Sequence, residues 1–115
     1  MSAFEIQGGN KLSGSITPQG AKNEALQVIC AVLATEEVVT ISNIPDIIDV
    51  NKLIDLLKSL GVKVQKVDGE TYKFQAANID LDYLHTKEFR KKGAALRGSI
   101  MILGPLLGRF KKGQI

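Results

Sequence analysis

The residues best suited to chemistry stand where the first predicted helix begins, in the stretch Gly20-Ala21-Lys22-Asn23. Unpaired N–H groups give a helix N-terminus partial positive charge, so a lysine there is mildly unfavourable by itself. A phosphate or carboxylate would offset this repulsion, and Gly20 would let the backbone approach such an anion closely. Asn23 would add a neutral donor and acceptor. The spacing alone leaves two interpretations open, an anion site and an ordinary surface lysine.

A second cation, Arg97, lies inside an apolar run of the last predicted helix, between Leu96 and Ile100. A buried guanidinium without a partner is too costly to keep. The side chain must therefore reach water, a carboxylate or an anionic ligand. Its position does not decide between snorkelling to solvent and binding a ligand.

Charge is distributed unevenly along the chain, whose formal net charge is +3. Residues 1–86 carry seven Lys or Arg against eleven Asp or Glu, whereas residues 87–112 carry eight basic residues against Glu88 alone. The basic residues of this segment are Lys87, Arg90, Lys91, Lys92, Arg97, Arg109, Lys111 and Lys112. The segment is either an anion-binding region or a solvated basic helix face. The whole chain has only four Phe and two Tyr to stack on bases, which argues against a nucleic-acid partner.

Composition excludes several classes of protein. With 44% hydrophobic residues the chain can pack a core, but no apolar run approaches the roughly 20 residues that span a bilayer. The N-terminus lacks the layout of a signal peptide, so we expect a cytoplasmic protein with no membrane partner. The lone Cys30 and lone His85 argue against a structural zinc site. We expect Cys30 in the core and His85 in an exposed loop.

Hydrophobic periodicity and turn residues predict an α/β fold. The predicted strands are 4–7, 12–17, 38–41, 62–67 and 71–76, and the predicted helices are 21–34, 48–60 and 87–107. Asp68-Gly69 predicts a hairpin between the last two strands, and Gly61 is expected to follow the C-terminus of the second helix. Pro105 is expected to kink or end the last helix. The glycines of that helix suggest that something packs close to its backbone.

Six segments carry a resemblance to a known family: 20–26, 34–37, 44–50, 60–64, 96–100 and 103–110. In order and spacing they resemble the N-terminus of the UDP-N-acetylglucosamine 1-carboxyvinyltransferases, which are enolpyruvate transferases. The similarity covers essentially the whole chain. The sister enzymes, the 5-enolpyruvylshikimate-3-phosphate synthases, usually have a serine after the lysine. Asn23 therefore favours the first group, and a synthase-like transferase remains the alternative.

The resemblance implies a two-domain protein built from repeated β/α units arranged as an inside-out barrel. Residues 1–18 would then be strands that pack with the second domain, and residues 19–115 would form an incomplete first domain. The family's general acid, a cysteine or an aspartate, would lie beyond Ile115. We therefore expect no turnover from these 115 residues alone. Exposed sheet edges and apolar faces would favour self-association.

The resemblance also implies a reaction. These enzymes transfer the enolpyruvyl group of phosphoenolpyruvate to the 3′-hydroxyl of UDP-N-acetylglucosamine and release phosphate, the first committed step of peptidoglycan synthesis. Lys22 and Asn23 would contact phosphoenolpyruvate, and Arg97 would contact the nucleotide sugar, with no metal or cofactor. Two other hypotheses remain open from the residues: a non-catalytic module that binds polyanions through the basic segment, and a structural domain in which Lys22 and Arg97 are solvated.

Overall fold

The computed structural model describes residues 2–111, except for the side chains of residues 97–99. The regular elements are helices α1 (Lys22–Cys30), α2 (Ile48–Ser59), α3 (Lys87–Ala94) and α4 (Leu103–Phe110), and strands β1 (Val38–Ile41), β2 (Lys63–Lys66) and β3 (Tyr72–Gln75). Short 3₁₀ segments cover Ala31–Ala34, Leu81–His85 and Arg97–Ile102. The predicted mixture of helices and strands is confirmed, as is the central order of helix, strand, helix, strand and strand.

The three strands form one antiparallel sheet with β3 in the centre, between β1 and β2. Phe74 of β3 lies opposite Val39 on one side and Val64 on the other. Phe74 is fully buried, while its neighbour Lys73 is exposed. This alternation is what the period of two in a strand with one buried face predicts. The sheet therefore presents one apolar face to the helices.

The core lies between that face and the helices. Its buried hydrophobic residues come from every helix and from β3, and the largest fully buried ones are Ile29, Val32, Leu33, Val50, Leu53, Leu56, Leu57, Leu60, Phe74, Leu84, Ile102 and Leu106. Burial of apolar area at roughly 25 cal/mol per Å² drives this packing. Helix α1 packs against α2 and against the 3₁₀ segment Arg97–Ile102. The start of α1 is therefore attached to a packed framework.

The turn after α2 and the hairpin between β2 and β3 have the conformations that their residues predict. Gly61 follows the C-cap residue Leu60 with φ of 105°, a left-handed conformation that favours glycine. In the hairpin between β2 and β3, Asp68 Oδ1 accepts hydrogen bonds from the backbone N–H groups of Glu70 and Thr71, both at 2.8 Å. The predicted glycine after α2 and the predicted hairpin are both confirmed.

The prediction of one helix over residues 87–107 is wrong. The helix breaks after Ala94, because Leu96 adopts extended backbone angles and is buried. A 3₁₀ segment and then α4 follow, which brings Ile102 and Leu106 into the same core. Pro105 neither kinks nor ends a helix. It is the third residue of α4, where a backbone N–H would have no intrahelical acceptor in any case.

The prediction of two strands over residues 4–7 and 12–17 is also not met in the described chain. Residues 2–20 contain no strand, and the apolar side chains of Phe4, Ile6, Leu12 and Ile16 are about nine-tenths exposed. A strand is stable only when a neighbouring strand satisfies its backbone groups, and none of the described strands pairs with this segment. The packing of residues 1–18 with a second domain stays a prediction.

Candidate functional site

Lys22 lies in the first turn of α1, as the sequence predicts, and it has a partner within the chain. Its Nζ lies 3.2 Å from Oδ2 of Asp49. The two side chains are 51% and 41% exposed, respectively, so the pair is open to solvent. An exposed ion pair contributes about 0–1 kcal/mol, too little to prevent an anionic ligand from binding Lys22.

Asp49 is the second residue of α2, so the ion pair joins the N-terminal ends of two helices. Neither Ala21, which precedes α1, nor Ile47, which precedes α2, provides a side-chain cap. A carboxylate is favourable in the first turn of a helix, whereas an ammonium group is unfavourable there. Asp49 therefore offsets the repulsion between Lys22 and its own helix.

Gly20 approaches protein backbone rather than an open anion cradle. A Cβ at this position would collide with the carbonyl oxygen of Asn43 and would lie 3.0 Å from Cδ of Pro45. Asn43 itself has φ of 57°, in the left-handed region. The sequence predicted that Gly20 makes room for a ligand, but the structure shows that it makes room for the backbone of Asn43. The glycine lets the turn before α1 lie against the loop that joins β1 to α2.

A concavity of about 180 Å³ lies beside this contact. Its lining comes from Gly20 and the first turns of α1, together with the last residue of β1 and residues 42–44 after it, and it includes the carboxylate residue Glu24. Lys22 and Asn23 are not part of the lining. The concavity therefore lies on a different side of α1 from the Lys22–Asp49 pair, and its acidic lining is unsuited to an anion.

The remaining predicted site residues are placed only in part. Asn23 is the second residue of α1 and is exposed, next to Lys22. Arg97 begins the 3₁₀ segment that packs against α1, but its side chain lies outside the described residues. The contact of Arg97 with a nucleotide sugar stays a prediction, and so do the contacts of Lys22 and Asn23 with phosphoenolpyruvate.

Two members of the basic segment are engaged inside the protein. Lys92 Nζ donates to Ser59 Oγ at 2.7 Å and pairs with Asp55 at 3.1 Å and Glu88 at 3.4 Å. The bond to Asp55, supplemented by Glu88, raises the pKa of Lys92.

Arg109 is tied to backbone instead. Its Nη1 donates to the carbonyl oxygens of Leu33 at 3.1 Å, Thr35 at 3.0 Å and Ala76 at 2.7 Å. Lys92 and Arg109 therefore stabilise the fold, and the basic segment is not a single free anion-binding surface. Apart from Glu88, which lies four residues before Lys92, the sequence signalled none of these partners, because they are 33 to 76 residues away in the chain.

Two glycines of the last predicted helix, Gly104 and Gly108, do not mark close packing. A Cβ at Gly104 or Gly108 would meet nothing within 4 Å. Other predictions are confirmed: Cys30 is fully buried, and burial raises the pKa of its thiol to about 12, while His85 is exposed. Cys30 is therefore a core residue and not a nucleophile.

Within residues 2–111, no helix combines the length and apolar character needed to cross a bilayer. The described side chains also contain no group of three or more potential metal ligands.

Comparison with known proteins identifies the class. The fold is similar to the crystal structure of the enolpyruvyl transferase NikO from Streptomyces tendae, with a TM-score of 0.62 and 26% sequence identity. This match covers 87% of the present chain and 22% of the NikO chain. The architecture is therefore part of an enolpyruvyl transferase fold.

The family follows from the sequence comparisons. A profile of the EPSP synthase (3-phosphoshikimate 1-carboxyvinyltransferase) family matches residues 6–115, and the chain belongs to this family. The chain is 56% identical over all 115 residues to UDP-N-acetylglucosamine 1-carboxyvinyltransferase of Bacteroides fragilis, and 54% identical over 110 residues to that of Porphyromonas gingivalis. It spans about a quarter of the length of these relatives, 26% and 25% respectively.

Proposed function

We propose that this chain is the N-terminal part of an enzyme that transfers the enolpyruvyl group of phosphoenolpyruvate to the 3′-hydroxyl of UDP-N-acetylglucosamine and releases phosphate. The observation that carries the proposal is the 56% identity across all 115 residues to a protein named for this reaction. The position of Lys22 and Asn23, adjacent and exposed at the start of α1, supports it.

The proposed chemistry fits the charge at this end of α1. Phosphoenolpyruvate carries a phosphate and a carboxylate, and an addition–elimination reaction passes through an intermediate that keeps both groups. An ammonium group beside a helix N-terminus stabilises such negative charge. We assign this role to Lys22, hydrogen bonding to the substrates to Asn23, and a contact with the nucleotide sugar to Arg97.

The experiment measures phosphate release by the complete gene product with phosphoenolpyruvate and UDP-N-acetylglucosamine. We expect Lys22→Ala to lower kcat/KM at least about a hundredfold with an unchanged unfolding temperature, as expected for loss of transition-state stabilisation of about 2.7 kcal/mol or more. Lys52→Ala, which removes an exposed lysine from α2, is the matched control and should remain within about twofold of wild type. Equal activities of the two variants would contradict the assignment of Lys22.

The alternative acceptor is shikimate 3-phosphate, because the matching family profile is described as 3-phosphoshikimate 1-carboxyvinyltransferase. The same assay separates the two reactions when shikimate 3-phosphate replaces UDP-N-acetylglucosamine. Phosphate release with the shikimate ester alone would favour the alternative. The relatives at 54–56% identity, all named for the nucleotide sugar, support the first reaction.

The proposed reaction gives the protein a place in peptidoglycan synthesis, and hence in cell-wall biogenesis, cell shape and cell division. The substrates are soluble metabolites, so we propose a cytoplasmic location. Because the chain matches only about a quarter of its relatives' length, we also propose that turnover requires more of the protein than these 115 residues. Phosphate release by the 115-residue chain alone would contradict that. Self-association of this chain stays a prediction, which sedimentation would test.

A further inference from the structure

The carboxylate of Asp49 contacts Lys22, which the proposed function gives the role of binding phosphoenolpyruvate. Oδ2 of Asp49 lies 3.2 Å from Nζ of Lys22, and both groups are reached by solvent. Asp49 lies in the first turn of α2, and Lys22 lies in the first turn of α1. The contact thus directs the flexible lysine side chain toward the second helix rather than outward into water.

The contact has two opposite effects on an anionic ligand. It restricts the four-carbon stem of Lys22, so that the ammonium group stays beside Asp49 in the first turn of α2. It also places a negative charge beside the cation that the ligand needs, which weakens the attraction at the distance of a salt bridge. If a neutral amide replaces the carboxylate of Asp49, the side chain still restricts Lys22 but no longer weakens its attraction for an anion.

We propose that Asp49 is a positioning residue for Lys22, which holds the ammonium group between the N-terminal ends of α1 and α2 and keeps one of its N–H donors while phosphoenolpyruvate binds the others. This inference rests on the proposed function. It predicts that the carboxylate group of Asp49 opposes substrate binding, while the oxygen atom that contacts Lys22 supports turnover.

The experiment compares three variants of the complete gene product at saturating UDP-N-acetylglucosamine. Asp49→Asn removes the charge and keeps an oxygen that can accept from Lys22, so KM for phosphoenolpyruvate should fall, by up to about fivefold, with kcat within about twofold of wild type. Asp49→Ala removes the oxygen as well, so kcat should fall by about fivefold as Lys22 loses its orientation, which is the most that a contact of about 1 kcal/mol supplies.

Asp46→Asn is the matched control. Asp46 lies just before α2, and its Oδ1 accepts a hydrogen bond from Nδ2 of Asn51 at 2.8 Å, so the variant makes the same change of charge near the same helix end. It should leave KM within about twofold of wild type. A residue that served the fold alone would lower the unfolding temperature and would not separate KM from kcat.

Two results would overturn the inference: an unchanged or raised KM in Asp49→Asn, or the same fall in KM in Asp46→Asn. If wild-type protein releases no phosphate, the proposed function fails, and calorimetric titration with phosphoenolpyruvate then decides the role of Asp49. Tighter binding by Asp49→Asn than by wild type and Asp46→Asn would support it. Equal binding, or none by any of the three proteins, would overturn it.

Discussion

Arg109 joins three parts of the fold, and its removal offers the sharpest test of the packing. One nitrogen, Nη1, lies within 3.1 Å of the carbonyl oxygens of Leu33, Thr35 and Ala76. Leu33 and Thr35 lie at the end of the 3₁₀ segment after α1, and Ala76 follows β3. The guanidinium also lies 4.6 Å from the ring centroid of Phe110.

The loss of stability expected on removing Arg109 follows from the number of hydrogens on Nη1. Nη1 carries two, so three acceptors correspond to about two full hydrogen bonds. A bond from a charged donor contributes about 1.5–3 kcal/mol, which gives about 3–6 kcal/mol for a buried site. Arg109 is only partly buried, so water replaces part of the loss. We expect Arg109→Met to lower the free energy of unfolding by about 2–4 kcal/mol, and Arg109→Lys by less, because an ammonium group keeps one charged bond.

The assay is urea unfolding of the chain followed by circular dichroism, combined with hydrogen exchange. Arg90→Met, which changes an exposed arginine of α3, is the control and should remain within about 0.5 kcal/mol of wild type. In Arg109→Met, faster exchange should concentrate in residues 31–36 and 74–78. Equal stability of Arg109→Met and the control would contradict this role of Arg109, since water would then satisfy all three carbonyl oxygens equally well.

Three further predictions concern other parts of the chain. Gly20→Ala should lower the free energy of unfolding by about 1–3 kcal/mol, because the new Cβ collides with the Asn43 carbonyl; Gly69→Ala, where a Cβ has open space, should cost much less, and equal costs in urea unfolding would contradict the contact. The backbone N–H of Glu70, together with that of Thr71, lowers the pKa of Asp68. The stability that the Asp68 carboxylate gives to the hairpin is therefore present at neutral pH and is lost as the pH falls through the lowered pKa. An NMR titration should show this loss of hairpin structure in wild type and not in Asp68→Asn. Cys30, whose pKa burial raises to about 12, should react with a thiol reagent only on unfolding, and stoichiometric labelling of the native chain would disprove that.

The elements from α1 to β3 could be predicted because each carries a local signal. The apolar stripes of α1 and α2 have the helical period, and β2 and β3 alternate around an Asp-Gly turn. The prediction of one continuous helix over residues 87–107 was wrong because burial of Leu96 outweighed the propensity of its neighbours to continue a helix. The prediction of strands within residues 4–17 was not met, because the pattern indicates only that a segment can form a strand. It does not indicate whether a neighbouring strand is present to pair with it.

Residues close together in the chain were enough to predict the family, the order of the central elements and the place of Lys22 and Asn23 at the start of a helix. The contacts of those residues could be seen only once the chain was folded. It placed Asp49 beside Lys22, the Asn43 carbonyl against Gly20, and Arg109 on three backbone oxygens. Such contacts join segments tens of residues apart, and they depend on how the helices pack on the sheet, which no local pattern of residues specifies.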